Sequence, residues 1–330
     1  MNGPYELTII ISNYNQEQHL SETIESALLQ KVKFLYRIII TDDHSREDRS
    51  CEIIKEYVKR YTHIEPILAE ENKGYLSNIL RAKEKTKTKY FCLLDADDYW
   101  NDSHFLQRAY DFLESHDEYT IYEANVEVIT EDGMNKHPFV SPKQKSGTYS
   151  KEMFLKNQSI PITQTTGMVF RNCIFSKGIP AIMKEAVGTS SERSFEGDTG
   201  RFFMHLKEGR AYYDSNIVGV YRLTENGIWS RLKSSRKSII EARMFYDFYR
   251  YYNSNVDFFV TKSYKYLMKY LKEKQKELNG LTEKEELIDE YEELMANDVY
   301  SFCKKYEKEI IIDRVSIKEK IKQIIKILIS

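Results

Sequence analysis

Cysteine is scarce in this chain: Cys51, Cys92, Cys173 and Cys303 are the four among 330 residues, widely separated and without zinc-ligand spacing. Cys92 lies inside an apolar run and reads as an inert core filler. This usage points to a reducing compartment, the cytoplasm. A surplus of either charge is also missing, since 49 Lys and Arg face 51 Asp and Glu for a net charge of -2. That balance argues against a chain built to grip nucleic acid. No stretch offers the ~18 uncharged apolar residues that a bilayer span needs. The opening residues 1–6 carry neither a basic region nor a long apolar one, so no signal peptide is expected.

What is present is a 41% hydrophobic composition, enough for a real core on a length that allows about two domains. Residues 7–12, 36–41 and 89–94 read as buried strands. Residues 64–68 make a shorter one, whose Pro66 suits an edge. Helical patterns over 16–30, 47–61 and 75–85 separate them. The alternation predicts a parallel sheet covered on both faces, with every strand's C-terminal end on one edge. After about residue 118 the rhythm changes. Strands are expected at 120–129 and 167–170, a helix over 196–207, and short strands at 211–213 and 218–222. Residues 130–146 are polar and turn-rich, the pattern of a mobile loop. From about 232 onward the pattern is all helix.

The densest chemistry lies in Asp95-Ala96-Asp97-Asp98, three carboxylates in four positions at the end of the 89–94 strand. Acids packed this closely repel unless protons or a cation neutralise them, and a hard divalent ion shared with substrate phosphates fits such a set. Other strand ends converge there: Ser12-Asn13-Tyr14-Asn15, Thr41-Asp42-Asp43-His44-Ser45 and Asn72-Lys73-Gly74. Tyr14 offers a ring for a flat base, the second acidic pair suits base or ribose donors, and Gly74 permits close backbone approach. Taken singly, each fits an ordinary turn or helix cap, Asn15 and Asp42 in particular. Four in one sheet are harder to dismiss.

Together these motifs resemble family 2 glycosyltransferases of the GT-A fold, over about residues 5–225. The resemblance implies an inverting, metal-dependent transfer of a sugar from a nucleotide-sugar, usually UDP-linked, to a carbohydrate or lipid-linked oligosaccharide of bacterial surface-polysaccharide type. It implies Ser12, Tyr14 and Asp43 at the base, with Asp42 in support and Asn72, Gly74 and Ala96 completing the donor site. Asp95 or Asp97 would take the ribose, and Asp97 or Asp98 a Mn²⁺ or Mg²⁺ on the diphosphate. Residues 195–203 resemble the acceptor half, with Gly197 where relatives place glutamate and Asp198 matching the catalytic base. Residue Asp198 also suits the bland role of an acid at a helix N-terminus. Thr166, Arg201 and Trp229 are expected at the substrates. Two departures stand out: Thr224 replaces a histidine, and Asn78-Ile79-Leu80 replaces Ala-Arg-Asn, leaving Arg81 or Arg201 to supply a diphosphate-contacting arginine.

The expected layout is therefore α/β. A GT-A domain spans 1–230, nucleotide-binding to about 115 and acceptor-binding after it, and a helical region spans 231–330. Residues 304–326 carry eight basic and four acidic side chains, and Ile317, Ile321, Ile324, Ile325 and Leu328 share a stripe. That face suits an anionic membrane surface or a twin subunit. Two other functions compete. A nucleotidyltransferase acting on a sugar phosphate would want a glycine-rich, basic loop after the first strand, which is missing. Against a non-catalytic nucleotide-sugar-binding module speak the intact acids Asp95, Asp97, Asp98 and Asp198.

Overall fold

The computed structural model describes residues 4–130, 133, 136–224, 227, 229–279 and 290–306. Its contacts divide the chain into two units: Met1–Gly188 with Glu196–Glu225, and Thr189–Phe195 with Asn226–Ser330.

The first unit begins with β1 (Leu7–Asn13), α1 (Glu17–Leu28), β2 (Tyr36–Asp42), α2 (Ser50–Arg60), β3 (Ile64–Leu68), α3 (Tyr75–Lys85) and β4 (Tyr90–Asp95). It continues through β5 (Tyr99–Trp100), α4 (Phe105–Ser115), β6 (Tyr119–Thr130), β7 (Lys136–Pro138), β8 (Gly147–Tyr149) and α5 (Lys151–Leu155). After these come β9 (Met168–Arg171), entered through a 3-10 turn at Thr165–Gly167, and α6 (Ala181–Ala186). Helix α7 (Glu192–Glu196) lies mostly in the second unit, and α8 (Asp198–Glu208) and β10 (Arg210–Leu223) complete the first.

The main sheet runs β3-β2-β1-β4-β9-β6-β10-β5. Strands β3, β2, β1 and β4 are parallel, as their apolar runs require. All seven residues of β1 are buried. Ile9 and Ile11 join Leu20, Ile24, Ile54, Phe105 and Leu113 in a core formed by α1, α2 and α4. Helix α3 packs on β1 and β2, and α8 on β6 and β10. Pro66 does fall on an edge strand, where its missing N–H costs no ladder bond. Strand β9 is antiparallel to both β4 and β6, so the sheet is mixed, though mostly parallel.

Two details differ from the sequence expectation. The short strands expected at 211–213 and 218–222 are one strand of 14 residues, β10, whose register against β6 slips between Asp214 and Ile217. The bulge keeps one long pairing through a stretch whose polar residues interrupt the apolar pattern. The turn-rich 130–146 segment contains β7, which pairs with β6.

The second unit contains α9 (Ser234–Tyr252), α10 (Val256–Asn279) and α11 (Glu290–Lys305), as the helical pattern predicts. Phe245, Phe248, Phe259, Tyr270, Met295 and Phe302 are buried. Asp247, fully buried, accepts from Ser191, Ser194 and Arg243 at 3.2, 2.7 and 3.1 Å, which ties Thr189–Phe195 to this unit. Among the described residues no helix is long and apolar enough to cross a membrane. The amphipathic stripe at 317–328 lies outside the described residues.

Candidate active site

Parallel strands deliver their C-terminal ends to one edge, and there the polar residues gather. At the β1–β2 end, Asn13 Nδ2 donates to Asp42 Oδ2 at 2.7 Å, and the Ser45 amide and hydroxyl donate to Asp42 at 2.9 and 2.6 Å. Asp42 is fully buried, so it braces the two strand ends from within. Asp43, also buried, accepts the Gly74 amide at 2.8 Å, the Lys73 amide at 3.2 Å and Arg81 Nη2 at 2.6 Å. Asn72 Oδ1 accepts the same Gly74 amide at 3.2 Å. Gly74 has φ 87, a conformation L side chains resist, and it starts α3. Tyr14 presents its ring to solvent, 46% exposed. Asn78, one of the departures, lies inside the fold: its Oδ1 accepts from Thr41 at 2.6 Å.

The acidic turn follows β4. Asp95 Oδ1 accepts from Ser12 Oγ at 2.8 Å and from the Tyr75 hydroxyl at 3.0 Å. Ala96 is buried, its methyl part of the core and its carbonyl taken by Thr23. Asp98 is 1% exposed. Its carboxyl accepts from Thr166 Oγ1 at 2.5 Å and from the Arg222 amide at 2.9 Å. Thr166, expected at the substrate, is buried against this acid. Arg222 also donates to the Asp97 carbonyl and to Glu22, both at 2.5 Å, and lies over the Tyr99 ring. Burial and the charge of Asp95 push the Asp97 carboxyl up to about 6. Burial and then the charges of Asp97 and Asp95 hold Asp98 well above the usual carboxylate range.

Asp198 opens α8, and Gly197 is its N-cap with φ -88. Thr165 Oγ1 donates to Asp198 Oδ1, and Arg201 Nη2 reaches the same oxygen at 3.0 Å and Thr165 Oγ1 at 2.5 Å. Arg201 is 1% exposed, so it sits against Asp198 inside the protein. Burial raises the Asp198 carboxyl above its ordinary value, while the Arg201 charge and the Thr165 bonds oppose the rise. Of the two arginines offered for the diphosphate, Arg81 is paired with Asp43 and Arg201 with Asp198. Trp229 belongs to the second unit, where it is 43% exposed with the Lys237 ammonium 5.8 Å from its ring centroid.

A mixed sheet with these motifs at its strand ends matches the sequence pattern described as glycosyl transferase family 2 over residues 8–178. The chain belongs to that family. As a family 2 glycosyltransferase it is 29% identical over 238 residues to an uncharacterised protein of Mycobacterium tuberculosis, covering 72% of this chain and 64% of the relative. The chain thus spans under two thirds of the length of such relatives. It is 35% identical over 94 residues to the teichoic acid poly(glycerol phosphate) polymerase of Staphylococcus epidermidis, covering 28% of this chain and 13% of the polymerase. Among solved structures, S. aureus TarS residues 1–349 in complex with UDP superposes with a TM-score of 0.51 at 16% identity, covering 92% and 91% of the two chains. The mannosyltransferase PcManGT of Pyrobaculum calidifontis, in complex with GDP-Man and Mn²⁺, gives 0.51 at 11%, covering 93% and 89%. These likenesses establish the GT-A fold of the transferase.

Three residues of this edge were not singled out in the sequence. Tyr75 had a signal, since it follows the glycine of a strand-end motif at the start of a helix. Arg222 lies in the stretch where Thr224 replaces a histidine, whereas Glu22, 200 positions away, had no signal: only folding brings the two together.

Proposed function

We propose that this transferase moves a sugar from a nucleoside diphosphate sugar, with UDP the preferred nucleotide, to a hydroxyl of a carbohydrate or lipid-linked glycan, with inversion. The observation that carries the reading is a pair of adjacent threonines. Thr165 donates to Asp198 and Thr166 to Asp98, so one turn holds the acid of the donor edge and a second, separate carboxylate side by side. The complexes of TarS with UDP and of PcManGT with GDP-Man support a nucleotide-linked donor in general.

In this reading Tyr14 stacks on the base, Asp43 and the Asn72–Gly74 turn receive its polar edge, and Asp95 takes a ribose hydroxyl. Asp97 and Asp98 are the metal ligands, with Asp97 the more available, since Thr166 and Arg222 already engage Asp98. The donor chemistry there is carboxylate oxygen, the kind Mg²⁺ takes from one or two acids while phosphate oxygens and water complete its shell; among the described residues no group of three or more His, Cys, Asp or Glu could hold a metal ion by itself. Held by Asp97 and Asp98, a divalent ion would supply positive charge against the departing diphosphate. Asp198 removes the acceptor hydroxyl proton as that oxygen attacks the anomeric carbon from the face opposite the diphosphate. Burial raises its affinity for protons above that of a free carboxylate, which makes it a stronger base. Arg201 and Thr165 keep its carboxylate aimed. No second carboxyl is needed as a general acid, unlike glycoside hydrolysis.

Thermal shifts with UDP, GDP and dTDP, each with Mn²⁺, test the donor site, and a shift with UDP above the others is expected. Asp198→Asn is expected to bind UDP as the parent does while turnover falls by roughly 10²-fold or more. Undiminished turnover in that variant removes Asp198 as the base. A parent that binds nucleotide yet turns over no donor favours the binding-module reading.

A further inference from the structure

We propose that Thr23 and Arg222 are positioning residues for the divalent cation, bracing the backbone of the acidic turn so that Asp97 and Asp98 keep one orientation. The proposal rests on the function given above. Thr23 is fully buried in α1, and its hydroxyl lies 2.8 Å from the Ala96 carbonyl oxygen and 2.7 Å from that of Asp98. A helical threonine ordinarily turns its hydroxyl to the carbonyl four residues back in its own helix. Here that contact, to His19, is the longest of the three at 3.2 Å, so the side chain is aimed at the turn. From the other side, Arg222 Nη1 donates to the Asp97 carbonyl at 2.5 Å, and the Arg222 amide donates to Asp98 Oδ1 at 2.9 Å. Glu22 Oε2 accepts from Arg222 Nη2 at 2.5 Å, and the Tyr99 ring centroid lies 4.6 Å from the guanidinium carbon. Both hold the guanidinium in place. Glu22 and Thr23 are consecutive in α1, so one turn of helix serves both braces.

The carbonyls of Ala96, Asp97 and Asp98 are thus all engaged. The amides of Ala96 and Asp98 are taken too, by the carbonyls of Ser12 at 3.1 Å and Asp95 at 2.9 Å. A peptide unit is planar, so holding its carbonyl restrains the whole unit. The units before and after Asp97, and the one after Asp98, are restrained in this way, which directs both Cα–Cβ bonds. Three carboxylates in four residues repel one another, and an unbraced turn relaxes by swinging them apart. Ligands held in place before the ion arrives need no such reorganisation when it binds. Groups that orient metal ligands commonly carry about ten- to a hundredfold of metal affinity. Neither Thr23 nor Arg222 touches the ion in this role.

The test is Thr23→Val, which keeps the shape of the side chain and removes the hydroxyl, with Thr23→Ser as the variant that restores it. Calorimetry measures UDP affinity in EDTA, and Mn²⁺ affinity at saturating UDP, for the parent and each variant. Thr23→Val is expected to keep UDP affinity in EDTA within about twofold and to lose roughly ten- to a hundredfold in Mn²⁺ affinity. Thr23→Ser is expected to stay within about threefold of the parent in both. A Mn²⁺ affinity of Thr23→Val within about twofold of the parent's overturns the proposal. So does a parallel loss of both affinities, which a merely loosened fold produces. If Thr23→Val does not fold, Arg222→Gln is measured in its place. The same pattern is expected there, and a loss in EDTA overturns the proposal by making Arg222 a donor ligand. A parent that binds no UDP, or UDP without Mn²⁺, overturns the functional reading instead. Crystal structures of the parent and the folded variant then decide the brace without the ion. Asp97 and Asp98 carboxylates displaced by more than about 0.5 Å support it, and carboxylates kept within that distance overturn it.

Discussion

Glu123 shows what a single side chain can impose on this molecule. It is fully buried on β6, with Oε2 accepting the Thr163 amide at 3.1 Å and Oε1 without a hydrogen-bond partner among the described residues. Tyr213, opposite it in register on β10, has a buried hydroxyl in the same condition. Burial pushes the Glu123 carboxyl from 4.5 up to about 8. Between those two values the folded protein holds a proton that the unfolded chain has released. Stability therefore falls as pH rises across the window, by at most about 5 kcal/mol once pH exceeds 8. Glu123→Gln cannot ionise and should lose this slope. In urea unfolding the variant is expected to match the parent near pH 5 and exceed it near pH 8. An equal difference at both pH values would sink the assignment. Lys83 is a second such case: 1% exposed, its ammonium lies 4.0 Å from the Phe175 ring centroid, and burial holds its pKa well below the usual value. Neither residue stood out in the sequence, because a charged letter in a strand or helix carries no mark of which face it occupies.

At the scale of elements, the 3-10 turn at Thr165–Gly167 does more than its three residues suggest. It delivers one threonine to Asp198 and the next to Asp98, and its backbone presses against β6. A Cβ built on Gly167 falls 2.2 Å from the Ala124 carbonyl oxygen, so the glycine is required by close approach to backbone. Gly167→Ala should lower stability by about 1–3 kcal/mol, because the turn must shift. It should also weaken UDP binding with Mn²⁺, since Thr166 leaves Asp98. Gly197 is the control: a Cβ there meets nothing within 4 Å, so Gly197→Ala should cost no more than about 1 kcal/mol, the exchange of a glycine N-cap for alanine. Denaturant midpoints of the two variants check the contrast, and equal losses would refute it. The sequence offered Gly74 as a glycine of close approach and Gly197 as one standing where relatives carry glutamate, and gave no hint that Gly167 lacks room for a side chain. A family pattern reports which letters differ, whereas steric need depends on a neighbour 43 positions away in the chain.

For the whole molecule, two units with separate cores predict two unfolding transitions in calorimetry. The sheet unit contains every proposed donor ligand, and the helical unit has its own buried ion pairs, Arg243 with Asp247 and Lys274 with Glu292. A ligand that binds the folded sheet unit at about 100 times its Kd adds about 2.7 kcal/mol to that unit alone. UDP with Mn²⁺ should therefore raise one transition and leave the other in place. A single transition moving as one would show that the units unfold cooperatively.

The sequence by itself determined that β1, β2, β3 and β4 are parallel, the edge position of Pro66, α3 from Tyr75 to Lys85, the helices after residue 232 and the acids at the strand ends. Each of these follows from local periodicity or from residues a few positions apart, where letters carry direct physical meaning. Tertiary structure alone decided that β9 enters antiparallel, that β10 is one bulged strand, that Thr166 and Arg201 face protein acids, and that Tyr75 and Arg222 reach the acidic turn. Those outcomes depend on pairings across tens to hundreds of residues, and on which of many available partners lies within 3 Å. Only the packed chain fixes that choice.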